Sequence, residues 1–427
     1  MNMSNYKRFL PKTILNIFRP PYHYLMAVLG ALIYRFPSKK IKVVAVTGTK
    51  GKSSVTEMIN AVLEEAGFKT ALTNTLRFKI GDQSDRNLYK MTMPGRFFLQ
   101  KALRQAVKAK CDYAVIEMTS EGAKQFRHKF IDLDALIFTN LSPEHIESHG
   151  SYENYVKAKL NIAQALTRSS KKNKILVVNK DSKEAEKFLA ITNVEKATYS
   201  LSNVSEINYT DDGSSFNFAG QNYRTKFIGE FNIYNLLATI TFAKHIRIPE
   251  KKIKSALEKM EKIKGRVERI KTDKNFEVVV DYAHTIDSLE KFYSAFSNKK
   301  KICVLGNTGG GRDKWKRPGM AKVANENCEE VILTNEDPYD EDPKKILDEM
   351  AVAVDKNKLK VILDRREAIK EALKSAGEKA QNQADFVVLI SGKGTDPFIM
   401  EANGKKTPWD DAEVVREELK KLGFTPN

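Results

Sequence analysis

At 427 residues the chain is too long for one compact core, so two or three domains are expected. Its composition, 41% hydrophobic and 30% charged, is that of an ordinary soluble globular protein. Three cysteines, Cys111, Cys303 and Cys328, lie far apart without a CxxC pair, which argues against a disulfide framework or a zinc ribbon and fits a reducing cytosol.

The net charge of +18 is unevenly placed: residues 1–56 hold ten Lys or Arg and no acid, and the first carboxylate is Glu57. Three readings of this stay open: a solvated basic surface, attraction to an anionic membrane, and attraction to a polyphosphorylated substrate. Nucleic acid is not an expected partner, because no RNP-like, helix-turn-helix or zinc signature accompanies the charge. Inside this region residues 22–36, YHYLMAVLGALIYRF, form an apolar helical segment. It is shorter than the roughly 20 apolar residues that cross a bilayer, and it lacks a signal-peptide cleavage site. The expectation is a cytoplasmic protein whose helix is either interfacial, which would give membrane association, or packed on the protein.

Next comes VVAVTGTKGKSSV, residues 43–55, a β-branched strand that breaks into a glycine turn carrying Lys52 and Ser53. Such loops surround phosphate with backbone N–H groups and a helix N-terminus, while the lysine reaches outer oxygens and the hydroxyl ligates Mg²⁺. The spacing is shorter than the general P-loop pattern, but an amphipathic stretch, MINAVLEEAGF, follows as the motif requires. Further buried parallel strands read at YAVIEM, ALIFTN and ILVVN, and a polar stretch near 205–228 reads as a hairpin insertion. Glu117 stands at a strand end, where a cap or surface role is the plain alternative. His145 and His149, four apart, can be a metal pair, although no Cys or further His supports zinc. Lys159 lies in a helical stretch where lysines are usually solvated. A second series of strands follows at EVVVDYAH, KICVLGN, EVILTNED, KVILD and FVVLISGKG. The expected fold is therefore α/β, with residues 1–40 as a basic helical segment, 41–264 as an ATP-binding domain and 265–427 as a Rossmann-like domain. The suggestive residues follow strands, where doubly wound sheets hold ligands.

Together TGTKGKSS, EMTSEG, TNLSPEHIESHGSYENYVKAK, GEFNIYNLLA, GRVE, DYAHTIDSLE, GGGRDKWKRP and DRREAI resemble the Mur ligase family in order and spacing, and within it the MurE group. The resemblance covers roughly residues 41–415; folylpolyglutamate synthases share the loop logic. It implies an ATP-dependent amide ligase in which a carboxylate is activated as an acyl phosphate and then attacked by an amino acid, in peptidoglycan precursor synthesis. By the same resemblance Gly48, Thr49, Lys50, Gly51, Lys52, Ser53 and Ser54 would hold ATP. Ser53, Glu117 and His145 would hold Mg²⁺, together with Lys159 as a carbamate. Asn232 and Asn235 would meet adenine, with helix capping as the alternative, and Arg266, Asp281, Tyr282 and His284 would close on the nucleotide. Thr92, Ser120, Gln125 and Arg127 would contact a muramoyl-peptide donor.

Departures concern the substrates. The family's N-terminal uridine-nucleotide domain cannot be built from forty residues, TTP becomes Thr92-Met93-Pro94, and Ser-Ser-His-Gly becomes Thr119-Ser120-Glu121-Gly122. A non-UDP or lipid-linked donor is therefore an alternative. For the amino-acid acceptor, Arg312, Gly392, Lys393 and Asp396 match family positions. The diaminopimelate-clamping Asp-Asn-Pro-Arg is replaced by Glu336-Asp337-Pro338-Tyr339, followed by Asp340, Glu341 and Asp342. Acids in that place favour an amine-ended side chain such as lysine or ornithine; a solvated acidic loop is the alternative. Two other functions are weighed. A non-catalytic nucleotide-binding regulator is opposed by intact Lys52, Glu117, His145 and Lys159, and an amidating ligase of the MurT type is opposed by the lack of a cysteine-rich insertion.

Overall fold

A computed structural model describes residues 12–144, 146–210, 213–311, 314–380 and 385–426. The chain divides into two compact units, one of residues 1–144, 149–201 and 234–256, the other of 145–148, 202–233 and 257–427.

The first unit opens with helix α1 (Lys12–Ile33). It starts before the expected apolar segment and stops sooner, because Arg35 and Phe36 take positive φ (58° and 48°) ahead of Pro37. In chain order there follow β1 (Lys42–Thr47), α2 (Lys52–Glu65), β2 (Thr70–Thr73), β3 (Arg77–Ile80), β4 (Gln83–Arg86) and α3 (Arg96–Lys108). Then come β5 (Tyr113–Glu117), α4 (Ser120–Lys124), β6 (Ala135–Phe138), α5 (Ile146–His149), α6 (Tyr152–Thr167), β7 (Ile175–Asn179), α7 (Ala185–Leu189) and β8 (Glu195–Tyr199). The sheet runs β4-β3-β2-β5-β1-β6-β7-β8, parallel except where β3 joins its neighbours. The strands read from apolar runs sit at its centre, fully buried, as parallel strands covered on both faces should be. The order reverses around β1, whose neighbours are β5 and β6, so ligands belong at its C-terminal end.

The stretch read as a hairpin is a three-stranded antiparallel sheet, β9 (Val204–Thr210), β10 (Gly213–Phe218) and β11 (Gln221–Thr225), with β9 at one edge and almost wholly exposed. The chain then passes through α8 (Glu230–His245) and α9 (Glu250–Lys259). The second unit continues with β12 (Glu268–Lys271), β13 (Phe276–Val280), α10 (Ile286–Ser294), β14 (Lys300–Leu305), α11 (Lys316–Asn327), β15 (Glu330–Leu333) and α12 (Pro343–Ala351). It ends with β16 (Leu359–Val361), α13 (Arg365–Ala380), β17 (Phe386–Ile390), β18 (Phe398–Met400), β19 (Lys406–Pro408) and α14 (Asp411–Lys421). Its six-stranded sheet has the order β12-β13-β17-β14-β15-β16, with separate apolar clusters on its two faces. One expectation is corrected: Cys303 of β14 and Cys328, just past α11, form a disulfide. Their 25-residue separation hides that the α11 crossover returns the chain beside β14, bringing the Cα atoms to 6.1 Å. Cys111 is a buried free thiol.

Candidate active site

Between β1 and α2 the chain must turn in four residues, and two glycines make this possible. Gly48 (φ +148°) and Gly51 (φ +81°) lie where side chains are rare; a Cβ would strike Thr139 Oγ1 at the first and Asn235 Oδ1 at the second. Neighbouring strands pin the loop. The Thr49 and Tyr155 hydroxyls meet at 2.8 Å, Lys50 N donates to Asn140 Oδ1 (2.9 Å), and Lys50 Nζ donates to Glu144 Oε1 (3.0 Å). α2 then starts at Lys52 with no side chain capping its first amides, which suits an anion at the helix's positive end. Lys52 Nζ donates to Thr49 O (2.8 Å), and Ser54 is buried in the first turn.

Beside this loop, Ser53 Oγ donates to Glu117 Oε2 at 2.9 Å, and the same oxygen accepts from Thr75 N (2.9 Å) and Thr75 Oγ1 (3.0 Å). Glu117 is 2% exposed at the end of β5, so it is not a surface carboxylate. Lys159, on α6, is also 2% exposed rather than solvated; its Nζ donates to Gly48 O (2.8 Å) and lies 5.7 Å from the Tyr155 ring centre. Burial, then Lys52, pushes its pKa well below the ordinary lysine value, against a weaker pull from Glu144 and Glu117. Ser53 and Glu117 offer the hard oxygen ligands that Mg²⁺ prefers. His145 lies outside the described residues; His149 is buried with its Nε2 3.1 Å from Glu121 Oε1. No group of three His, Cys, Asp or Glu forms a metal cage among the described residues.

Of the residues expected at the donor, Thr92 is joined to Glu117 through Thr75. Thr92 Oγ1 meets Thr75 Oγ1 at 2.7 Å, Ser120 is buried at the start of α4, and Gln125 Oε1 accepts from Arg127 Nη2 (2.7 Å). Arg127 Nη1 also donates to the carbonyl of Met93. Asn235 faces Gly51, whereas Asn232 Nδ2 donates to Ile228 O (2.9 Å) at the start of α8.

In the second unit, Asp281 accepts from Val267 N (2.9 Å) and Ala283 N (2.7 Å), which folds the GRVE turn onto the end of β13. Arg266 stacks 4.5 Å from the Tyr282 ring centre, and His284 Nδ1 meets Tyr282 O at 2.6 Å. A buried charge cluster lies at the ends of β15 and β17. Lys393 Nζ donates to Asp337 Oδ1 (2.9 Å), Asp396 Oδ2 (3.1 Å) and Phe398 O (2.6 Å). Burial opposes its charge, but Asp396 and Asp337 outweigh burial and keep the ammonium. Glu336 Oε1 accepts from Thr308 Oγ1 (2.7 Å), while Oε2 is buried without a hydrogen-bond partner among the described residues. Burial, then Asp337, raises the Glu336 pKa. Gly392 (φ +104°) packs against that carboxylate, where a side chain would collide. Pro338 is buried, and Tyr339 N donates to Met400 O (3.0 Å). Arg312 lies outside the described residues.

Two expectations change here. Glu336 and Asp337 are buried rather than part of a solvated loop. Asp340, Glu341 and Asp342 do not join them: Glu341 pairs with Arg317 (2.9 Å) and Lys314 (2.8 Å), Asp342 caps α12, and Asp340 accepts from Asn403 N (2.7 Å). Sequence reasoning missed Thr75, Tyr155, Glu144 and Thr308. A threonine just past a strand was the signal for Thr75, but only the β2–β5 pairing shows which carboxylate it meets.

Comparison with known proteins is decisive at this point. Residues 46–243 match the Mur ligase middle domain and residues 265–394 the Mur ligase, glutamate ligase domain. The UDP-N-acetylmuramoyl-L-alanyl-D-glutamate--2,6-diaminopimelate ligase of Syntrophomonas wolfei is 35% identical over 410 residues, covering 92% of this chain and 81% of that one. The chain belongs to the Mur ligase family. The first of the diaminopimelate ligases of Clostridium acetobutylicum is 32% identical over 412 residues, covering 93% and 82%. A solved structure of such a ligase superposes with TM-score 0.61 at 28% identity, covering 90% of this chain and 79% of the other. Mycobacterium tuberculosis folylpolyglutamate synthase bound to ADP shares the fold, with TM-score 0.70 at 15% identity, covering 86% and 91%. Mur ligases use ATP and Mg²⁺, and this chain is an ATP-dependent, ADP-forming ligase that joins an amino acid to an acid.

Proposed function

We propose that this Mur ligase adds an amine-ended amino acid, lysine or ornithine, to the carboxylate of a muramoyl-peptide donor in peptidoglycan precursor synthesis. The observation that carries the reading is the convergence of Lys52, Ser53, Glu117 and the buried amine of Lys159 on one loop. In this reading a donor carboxylate oxygen attacks the γ-phosphorus and the bond to ADP breaks, leaving an acyl phosphate. The acceptor amine then attacks the acyl carbon, the C–O bond breaks and phosphate leaves; the ammonium proton passes to a base. The loop amides and Lys52 hold and orient the triphosphate, so most of the protein's work is positioning and charge neutralisation. Ser53 and Glu117 would hold Mg²⁺, with His145, and the ion supplies neutralisation of phosphate charge.

Lys159 fits carbamylation. A free amine can attack CO₂, forming the N–C bond and releasing a proton, and the carbamate replaces a repelling ammonium by a hard anionic oxygen ligand. The acceptor reading is supported by Glu336, a buried carboxylate with one unpartnered oxygen, and by Tyr339 where a clamping arginine would sit. An amine satisfies the first, and nothing at the second pairs with a distal carboxylate. That the relatives are named as diaminopimelate ligases makes the acceptor the feature to test. A lipid-linked donor is the second reading. It is favoured by α1, where Phe18, Tyr22, Leu25, Leu29 and Leu32 form an exposed apolar stripe with Arg19, Arg35, Lys39 and Lys40 exposed around it and no acid in residues 1–56. Such a face suits peripheral contact with an anionic membrane through residues 22–36. Phosphate release by the full chain, with muramoyl dipeptides and candidate amino acids, tests the proposal. Donor- and acceptor-dependent release is expected, and ATP hydrolysis indifferent to both overturns it.

A further inference from the structure

Among the described residues, two arginines of the first unit are hydrogen-bonded only to neutral groups and each leaves its Nε without a partner. Arg96 opens α3; it hydrogen-bonds His23 Nδ1, lies 5.5 Å from the Tyr22 ring centre, and keeps its buried Nε without a partner. Arg127 gives one nitrogen to the Met93 carbonyl and another to Gln125 Oε1 at 2.7 Å, and its Nε is likewise buried and unpartnered. The acid that acts on Arg127, Glu121, has its Oε1 3.1 Å from His149 Nε2. Burial, then Arg96 and Arg127, lowers the His23 pKa to about 4, so the imidazole stays neutral and adds no counter-charge. The first turn of α3 contains no acid and Gly95 offers no capping side chain, so the helix's positive end faces the same place.

Half-buried charge left this way is costly, and the cost is repaid when an anion arrives. Met93 ties the pair to the chemistry: its carbonyl holds Arg127, while its neighbour Thr92 reaches Thr75, which donates to Glu117. Arg127 is already expected at the donor from the family resemblance; we propose that Arg96 joins it there to form an oxyanion subsite for the acyl donor, with His23 and Tyr22 of α1 as its wall. This rests on the ligase reading above. The ligand is a phosphate or carboxylate group of the donor, which two guanidiniums suit as bidentate donors. Helix α1 thereby becomes part of the substrate site, and Arg96 a donor-binding residue.

The test is steady-state phosphate release by the full chain, with muramoyl dipeptide, its 1-phosphate and its UDP derivative as alternative donors. Arg96→Ala should raise KM for the preferred donor about tenfold while kcat and KM for ATP stay within about twofold, as loss of one charge-assisted contact predicts. His23→Ala should act in the same direction more weakly. If the rise is confined to phosphorylated donors, the bound group is phosphate; if all donors suffer equally, it is the peptide carboxylate. An unchanged donor KM, or a parallel loss for ATP, overturns the subsite. Should Arg96→Ala fail to fold, Arg96→Lys carries the same comparison, since it keeps the charge and loses the fork. Wild-type chain silent with every donor and amino acid overturns the ligase reading itself; wild-type turnover with unmoved variants overturns the subsite alone.

Discussion

Lys159 Nζ donates to the Gly48 carbonyl across 2.8 Å, which fastens helix α6 to the phosphate loop through a single buried amine. The loop amides and Lys52 do not depend on that bond. Lys159→Ala should therefore lose most ligation, a hundredfold or more, while ATP still binds with near-normal affinity. Stripping CO₂ from the buffer should mimic the loss in wild type, and adding bicarbonate should reverse it. Full turnover by the alanine variant would end the carbamate proposal.

The proposed acceptor choice rests on Glu336. Lysine or ornithine should be used faster than diaminopimelate, and Glu336→Gln should raise the acceptor KM about tenfold, because an ammonium loses a charge-assisted partner. Competition between lysine and diaminopimelate in one assay decides it: preference for diaminopimelate reverses the assignment.

His128 is 1% exposed, with neither ring nitrogen hydrogen-bonded among the described residues, and burial pushes its pKa down to about 3. A lowered pKa means that the unfolded chain binds the proton first. Stability is therefore lost as pH falls below the unfolded value of 6.5. At pH 5 this amounts to about 2 kcal/mol. His128→Leu should remove this acid sensitivity: denaturant curves for it and wild type should converge near neutrality and part in acid, with wild type the weaker. Curves parting equally at every pH would contradict this origin.

Arg365 donates two bonds of 2.8 Å to Asp411 and one of 2.8 Å to Ser391 O, all of it buried. Removing one partner strands the other charge, so Asp411→Ala should cost about 3–5 kcal/mol. Urea unfolding measures it. A loss under 1 kcal/mol, about that of an exposed pair, would show that the site is wetter than the structure implies.

For α1, flotation with anionic vesicles should carry the full chain upward, and Leu25→Glu with Leu29→Glu should leave it at the bottom with its fold intact. Equal behaviour of both chains, or flotation with neutral vesicles alone, rejects membrane contact. None of the described helices is long and apolar enough to cross a bilayer.

The central strands were legible because parallel strands buried on both faces read as apolar runs, from VVAV to FVVLI. The phosphate loop was legible because its glycines, lysine and serine are contiguous. What escaped depends on pairing across the fold. Thr75 meets Glu117 through the β2–β5 neighbourhood, and Cys328 meets Cys303 through a helical crossover. His23 meets Arg96 through the packing of α1 on α3, where Gly30 lies 3.5 Å, measured from the Cβ it lacks, from Arg96 O. The acids at 340–342 misled for a related reason: charge in sequence does not say whether a carboxylate faces a ligand, a helix end or an arginine.

Among the described residues, strand β9 leaves one side of its sheet unpaired, with Ile207 and Tyr209 exposed along it. An open edge of this kind invites another chain to add a strand, the first step towards aggregation. Two features blunt it: the register slips between Ser215 and Asn217 on the adjoining strand, and Glu206 sits on the edge bonded to Asn217 (2.5 Å). Handling of the purified chain therefore depends on one carboxylate of an edge strand. Replacing Glu206 by an apolar residue would turn a guarded border into an adhesive one.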